Sequence, residues 1–326
     1  MKILVFDVRE EEIAIFQEVT KELKTHVDIV TCAFSEETIM KCVGYDAISI
    51  AGMKSIDSEV LDKLKEYGIK YLSTRTIGYD HIDVKYANKI GVRVCNVEYP
   101  PESVADFTIM LILLVLRKYK QSLYRQNVND YSLTGLKGKT IRSLTVGVIG
   151  TGKIGRTVME SLSGFGCKII AYDIYQNPEV EKIATYVDLD TLYKQSDLIT
   201  IHTMLSVDTA QMINEDTISK MKDGVILINT ARGELMNLQA LIKGIESKKI
   251  GGLGLDVFEE EKYIYHKSLV NDILSNRDMA YLRQFPNVVL TPHIAFYTNE
   301  SVEAMVRGGI EGLIAMEKGS YVKELL

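Results

Sequence analysis

Residues 145–155 read Thr-Val-Gly-Val-Ile-Gly-Thr-Gly-Lys-Ile-Gly, and residues 168–173 read Lys-Ile-Ile-Ala-Tyr-Asp. A short apolar strand runs into Gly150-x-Gly152-x-x-Gly155, the last glycine opens a helical stretch, and a second apolar strand ends in Asp173. Each part has a physical task in binding a dinucleotide. Gly150 permits a tight turn, Gly152 lets the backbone approach a pyrophosphate, and Gly155 lets helix and strand pack closely. The helix N-terminus, with Thr151, Lys153 and Ile154 around it, offers unpaired N–H groups to phosphate oxygens. Asp173 suits the two hydroxyls of an adenine ribose, and its charge opposes a 2′-phosphate, so the expected cofactor is NAD.

Outward from this stretch the chain alternates strand and helix. Before it, apolar runs at 3–6, 27–30, 47–50, 71–73 and 92–95 read as buried strands. Between them lie amphipathic segments such as 57–67, with Val60, Leu61, Leu64 and Tyr67 on one helical face. From Thr145 onward, strands are expected at 146–149, 168–172, 198–202, 225–229, 252–256 and 288–291. Six strands with intervening helices complete a Rossmann sheet. The fold class is therefore α/β, with two Rossmann-like domains built on parallel sheets. A single long helix is expected from Pro101 to about Asn127, apolar without a break from Ile109 to Leu116. That apolar run is too short to span a bilayer, and the helix reads as buried from several directions, with its outer face meeting a second subunit. A last amphipathic helix is expected from about Asn299 to Lys318, and the long polar stretch 259–285 as an excursion near the site.

The chain has 326 residues, 46% of them hydrophobic and 25% charged, with a net charge of −6. This is the composition of a globular protein large enough for two domains. No basic block or apolar run of membrane-spanning length is present, so neither nucleic acid nor a membrane is expected as partner. The four cysteines form no Cys-x-x-Cys pair, and the N-terminal apolar run is too short for a signal sequence. A cytoplasmic location is expected.

In a Rossmann sheet the ligand lies beyond the carboxyl ends of the strands, and polar residues collect there. His202 and Thr203 follow one strand, Thr230, Ala231 and Arg232 the next, Asp256 a third, and Thr291-Pro292-His293 the last. An arginine fork can grip a carboxylate, and histidine titrates near neutral pH. Together they suit binding a small anion and moving a proton. His202 reads as lining the nicotinamide side without acting chemically. His26, His81 and His266 read as surface residues, and no metal-ligand spacing links them.

The stretches 70–83, 103–113, 145–155, 229–233, 254–261 and 286–293 resemble the D-2-hydroxyacid dehydrogenases over nearly the whole chain. The D-lactate dehydrogenase branch is nearest, and within it the chain looks most like the vancomycin-resistance members. The resemblance implies roles by position. Arg232 matches the substrate-binding arginine, Glu261 the acid paired with the catalytic histidine, and His293 that histidine. Asp256 matches the acid near the nicotinamide amide. Ile77 and Gly78 match the loop whose N–H groups meet the substrate carboxylate, and Tyr99 matches an aromatic residue over the substrate, with Phe296 expected to close the same end. It also implies a flavodoxin-like substrate domain, 1–100 plus 299–326, an NAD-binding domain, 101–298, and a homodimer built on the long helix. Departures are Pro100 after Tyr99, Thr203-Met204-Leu205 after His202, and Asn237 in place of an aspartate. Lys262 stands where glycerate-type relatives have proline, which supports the lactate type.

The activity so implied is reversible reduction of a 2-oxo acid, pyruvate favoured, to the D-2-hydroxy acid, D-lactate. The alternatives are a D-2-hydroxyisocaproate or phenyllactate type acting on branched or aromatic acids, and a non-catalytic NAD-sensing regulator, which the fold alone leaves open.

Overall fold

The computed structural model describes the chain except for Met53, residues 321–324 and the side chain of Lys262. Part of the C-terminal segment assigned from sequence to the substrate domain thus lies outside the described residues. Two compact units divide the rest: Met1–Pro100 with Tyr297–Leu326, and Pro101–Phe296. The chain re-enters the first unit at Tyr297 rather than at residue 299. The Tyr297 hydroxyl donates to the Glu11 carboxylate, and the Arg9 guanidinium stands 5.0 Å over its ring.

The first unit runs β1 (Ile3–Val5), α1 (Ile13–Glu22), β2 (Val27–Ile29), β3 (Ala47–Ile50), α2 (Ser58–Glu66), β4 (Tyr71–Thr74), α3 (Val84–Ile90) and β5 (Arg93–Cys95). Its strands form one parallel sheet in the order β2-β1-β3-β4-β5, the flavodoxin-like arrangement. Helix α2 starts where Asp57 accepts the N–H groups of Glu59 and Val60, and its apolar face buries Val60, Leu61 and Leu64. The chain's final helix, Asn299–Glu317, returns here. Its Val306, Ile310, Leu313 and Met316 pack with Ile3, Val5, Phe16 and Val19 in one buried cluster.

The second unit begins with α4 (Glu102–Leu116) and α5 (Tyr119–Asn127), where the sequence predicts one continuous helix. The break has a specific cause. The Leu116 carbonyl, which would accept the Lys120 N–H in an unbroken helix, accepts the N–H of Lys139 instead, at 3.1 Å. Lys118 turns into the left-handed region at φ +53°, and its ammonium donates to the Gly135 carbonyl at 2.7 Å. Leu111, Ile112, Val115 and Leu116 of α4 are buried against Val146, Val148 and Val158. Met110 and Leu113, on the other side, are exposed and line an apolar groove with Phe165 and Tyr119.

There follow β6 (Thr145–Ile149), α6 (Lys153–Phe165), β7 (Lys168–Tyr172), α7 (Pro178–Glu181), β8 (Thr185–Tyr186), α8 (Leu189–Gln195), β9 (Leu198–Ile201), α9 (Glu215–Lys220), β10 (Val225–Asn229), α10 (Leu238–Glu246), β11 (Ile250–Leu255), α11 (Arg277–Leu282) and β12 (Val288–Leu290). The described strands make a seven-stranded parallel sheet, β12-β11-β10-β9-β6-β7-β8. This is the Rossmann order with a further strand, β12, beyond the usual six positions. The strand absent from the sequence reading is β8. Its two residues, paired with Ile170 and Ala171 of β7, are too few to show a period. The expected excursion at 259–285 carries a short helix of its own, α11. No helix among the described residues is long and apolar enough to cross a membrane.

Candidate active site

The glycine-rich turn has the form its sequence requires. Gly150 ends β6 at φ +92°, and a Cβ there would stand 2.6 Å from the His202 main chain. A Cβ on Gly155 would meet the Gly150 carbonyl oxygen at 2.0 Å, so helix and turn touch backbone to backbone. Gly152 faces open space, with nothing within 4 Å of a Cβ placed on it. It is the N-cap of α6, and no side chain caps the helix. A cradle opening onto uncapped helical N–H groups, with Lys153 and Ile154 in the first turn, fits a dinucleotide pyrophosphate. Beside it the Asp173 carboxylate accepts the Thr151 N–H at 2.6 Å and the Tyr175 N–H at 3.0 Å. Asp173 and the turn are joined directly.

His202 follows β9 and donates its main-chain N–H to the Ile149 carbonyl at 2.7 Å. Its Nε2 lies 2.9 Å from the Thr200 hydroxyl, and burial of the ring pushes its pKa well below the ordinary histidine range, so the ring stays neutral. The turn after Thr203 leaves Met204 and Val207 exposed. Thr209 closes it, donating its hydroxyl to the Met204 carbonyl at 2.7 Å and accepting the Ser206 N–H at 2.8 Å.

Beyond β10 the buried Asn229 shapes the turn that carries Arg232. Its amide oxygen accepts the Ala231 N–H at 2.9 Å, and its amide nitrogen donates to the Arg232 carbonyl at 2.7 Å. The Arg232 guanidinium donates to the Ala231 carbonyl at 2.8 Å. The Thr230 hydroxyl lies 2.9 Å from that of Thr108, whose own proton goes to the Val104 carbonyl, so Thr230 is the donor. Sequence reasoning passed over Asn229 as part of the strand. Asn237, noted as a departure, caps α10: it accepts the Ala240 N–H at 2.9 Å and donates to the Gln211 side chain at 3.1 Å.

Strands β10, β11 and β12 are neighbours in register, Asn229 beside Leu255 and Leu255 beside Leu290. The Arg232 turn, Asp256 and His293 therefore leave one edge of the sheet side by side. Asp256 is fully buried, and its carboxylate accepts from the Thr291 hydroxyl (2.6 Å) and the N–H groups of Ile294 (3.0 Å) and Ala295 (2.8 Å). Its own carbonyl takes the His293 N–H at 2.7 Å. Asp256 is thus the anchor of the His293 loop, a role that its position at a strand end did not reveal.

His293 sits in the left-handed region at φ +53°. Its Nδ1 is 2.5 Å from Oε1 of Glu261, and Oε2 accepts the Phe258 N–H at 2.7 Å. Glu260 at φ +61° turns the chain so that Glu261 faces back. With an acceptor on Nδ1, that nitrogen carries its proton, and Nε2 is left for chemistry. The Phe296 ring stands edge-on to the His293 ring, centroids 6.1 Å apart. Of the histidines read as surface residues, His26 is exposed and His81 is half-buried, with Nε2 3.5 Å from the Thr74 hydroxyl. His266 is exposed, yet its Nε2 lies 3.0 Å from the His293 carbonyl and its ring 6.3 Å from that of Phe296. It belongs with the site residues, and only the length of the polar excursion hinted at this.

In the first unit, the loop after β4 carries Ile77 and Gly78. Asn96 donates to the Ile77 carbonyl and Thr76 to the Gly78 carbonyl, each at 2.7 Å. Below it Arg75 is fully buried and donates to the Phe6 carbonyl at 2.8 Å and the Ser49 hydroxyl at 3.0 Å; burial draws its pKa down to about 10. Tyr99 is half-buried in the segment that leaves β5.

The family model for the NAD binding domain of the D-isomer specific 2-hydroxyacid dehydrogenases matches residues 109–295. An aromatic 2-oxoacid reductase of Clostridium sporogenes is 44% identical over 94% of the chain and 93% of its own length. A D-lactate dehydrogenase of Lactiplantibacillus plantarum is 37% identical over 94% and 93%. Among solved structures, D-lactate dehydrogenase from Aquifex aeolicus, complexed with NAD and lactic acid, superposes with a TM-score of 0.87 at 35% identity, covering 97% of this chain and 96% of that one.

Proposed function

The chain belongs to the D-isomer specific 2-hydroxyacid dehydrogenase family, and on that premise we propose that it reduces pyruvate, reversibly, to D-lactate. It is an NAD-dependent enzyme of this type. The observation that carries the assignment is the contact between Glu261 and His293 beside the Arg232 turn. Arg232 grips the substrate carboxylate. Bound NADH supplies the hydride that reduces the carbonyl carbon. Protonated His293 gives its Nε2 proton to the developing alkoxide. Glu261 accepts the Nδ1–H and fixes the ring. The same orienting logic holds a histidine in serine-protease triads, here without a nucleophile. Phe296 is assigned to the carbon chain of the substrate.

A second reading takes aromatic 2-oxo acids as the preferred substrates, and the name of the Clostridium sporogenes relative supports it. Loss of NADH absorbance across a panel of pyruvate, 2-oxoisocaproate and phenylpyruvate separates the two. The highest kcat/KM for pyruvate is expected, and the highest value for phenylpyruvate would overturn it. A cytoplasmic homodimer completes the proposal. The exposed apolar face of α4, with Met110 and Leu113 beside Phe165, supports pairing of two copies. Sedimentation analysis tests it.

A further inference from the structure

A row of hydrogen bonds crosses the cofactor end of the second unit, and its direction is fixed by its two ends. At one end the Asn177 N–H, which can only donate, meets the Tyr186 phenol oxygen at 2.9 Å. At the other, the Asp173 carboxylate, which can only accept, takes the Thr151 N–H at 2.6 Å and the Thr151 hydroxyl at 3.1 Å. That spends the one hydroxyl proton of Thr151. In the 2.8 Å contact between Thr151 Oγ1 and Tyr186 Oη, the phenol is therefore the donor. Every hydrogen points the same way: Asn177 to Tyr186, Tyr186 to Thr151, Thr151 to Asp173.

We propose that Tyr186 is a positioning residue for the adenosine end of the cofactor, acting through Thr151 on Asp173. The proposal rests on the reading of Asp173 as the acid that meets the ribose hydroxyls. Thr151 lies between Gly150 and Gly152 and is 4% exposed, so its hydroxyl has little solvent to turn toward. Tyr186 is delivered by β8, the short edge strand against β7, at whose end Asp173 stands. The acid that reads the ribose and the turn that wraps the pyrophosphate are thereby fastened together before cofactor arrives. Binding then spends less on ordering them. A carboxylate held in place also opposes a 2′-phosphate more strongly than one free to swing aside.

The test is Tyr186→Phe, which keeps the ring and removes the donor, with Thr151→Val and Thr151→Ser as companions. KM and kcat for NADH and NADPH, fluorescence titration of NADH, and the melting temperature of the cofactor-free protein are measured for each. Loss of one such bond is worth about fivefold. Tyr186→Phe is expected to raise the NADH dissociation constant and KM by about that factor and to lower the preference for NADH over NADPH similarly, with a smaller effect on kcat. Thr151→Val is expected to do at least as much, and Thr151→Ser to restore most of it. A parent protein that uses both cofactors equally would reject the reading of Asp173. If the parent prefers NADH and Tyr186→Phe changes neither affinity nor preference, the proposal alone is overturned. A lowered melting temperature with unchanged preference overturns it too, because the phenol would then serve only the fold.

Discussion

The Glu261 carboxylate holds His293 at 2.5 Å with one oxygen and the Phe258 N–H at 2.7 Å with the other. An anion anchored at both oxygens cannot rotate away from the imidazole, so its effect on the ring is steady. Glu261→Gln keeps the shape and removes the charge. Reduction draws a proton from Nε2, and the Nδ1 contact is what orients that nitrogen. A roughly hundredfold fall in kcat for reduction is expected at neutral pH. The kcat of parent and variant checks this, and equal values would remove Glu261 from the mechanism.

His266 holds the carbonyl of His293 at 3.0 Å, on a residue whose backbone sits at φ +53°. A left-handed non-glycine residue persists where its surroundings hold it. His266→Ala is expected to lower kcat about fivefold, with little change in melting temperature. His266→Gln, which can offer an amide N–H to the same carbonyl, should recover part of the loss. Equal kcat in all three proteins would show the contact to be incidental.

Phe296 stands edge-on to the His293 ring at 6.1 Å and limits the space beside it. Phe296→Ala should raise kcat/KM for 2-oxoisocaproate relative to pyruvate. A methylene's worth of fit is about 1–3 kcal/mol, so a shift of ten- to a hundredfold is expected. The ratio of the two kcat/KM values measures it, and a constant ratio rules out Phe296 as a size filter.

The Lys120 ammonium donates to three carbonyls, Arg283 and Phe285 at 2.7 Å and Val288 at 2.8 Å. It thereby ties α5 to the end of the polar excursion. Burial, with the nearby Arg283, draws its pKa below the ordinary lysine range. Lys120→Met keeps much of the stem and leaves the carbonyls without their donor. A loss of about 2 kcal/mol in stability is expected by chemical denaturation, with kcat largely kept. Unchanged stability would show that solvent replaces the ammonium at no cost.

Legibility from sequence followed the range of the causes. The glycine turn, Asp173 and the strand ends carrying Arg232 and His293 were plain because each is a local pattern at the end of an apolar run. The break after Leu116 was not. Its cause is Lys139, distant in sequence, capturing one carbonyl, and no glycine or proline marks the spot. Strand β8 was missed for its brevity, and with it the part played by Tyr186. His266 looked like a surface residue because it is one; what matters is that the chain folds back to set it against His293. Asn229 does end its strand, and Asp256 stands just past one that ends at Leu255, while their work as anchors of the neighbouring loops lay in contacts that no spacing records.

The return of the last helix to the first unit has a consequence for biosynthesis. Ile3, Val5, Phe16 and Val19 emerge from the ribosome early, but their partners Val306, Ile310, Leu313 and Met316 come after the whole second unit, roughly 300 residues later. At about 5–20 residues per second, that apolar face waits about 15–60 seconds for its cover. The unit made first is therefore the last to be sealed, and the second can fold as an uninterrupted piece in the meantime. Nascent chains stalled before Asn299 should be cut by protease within residues 1–100 while residues 101–296 resist, and equal resistance of both would refute this order.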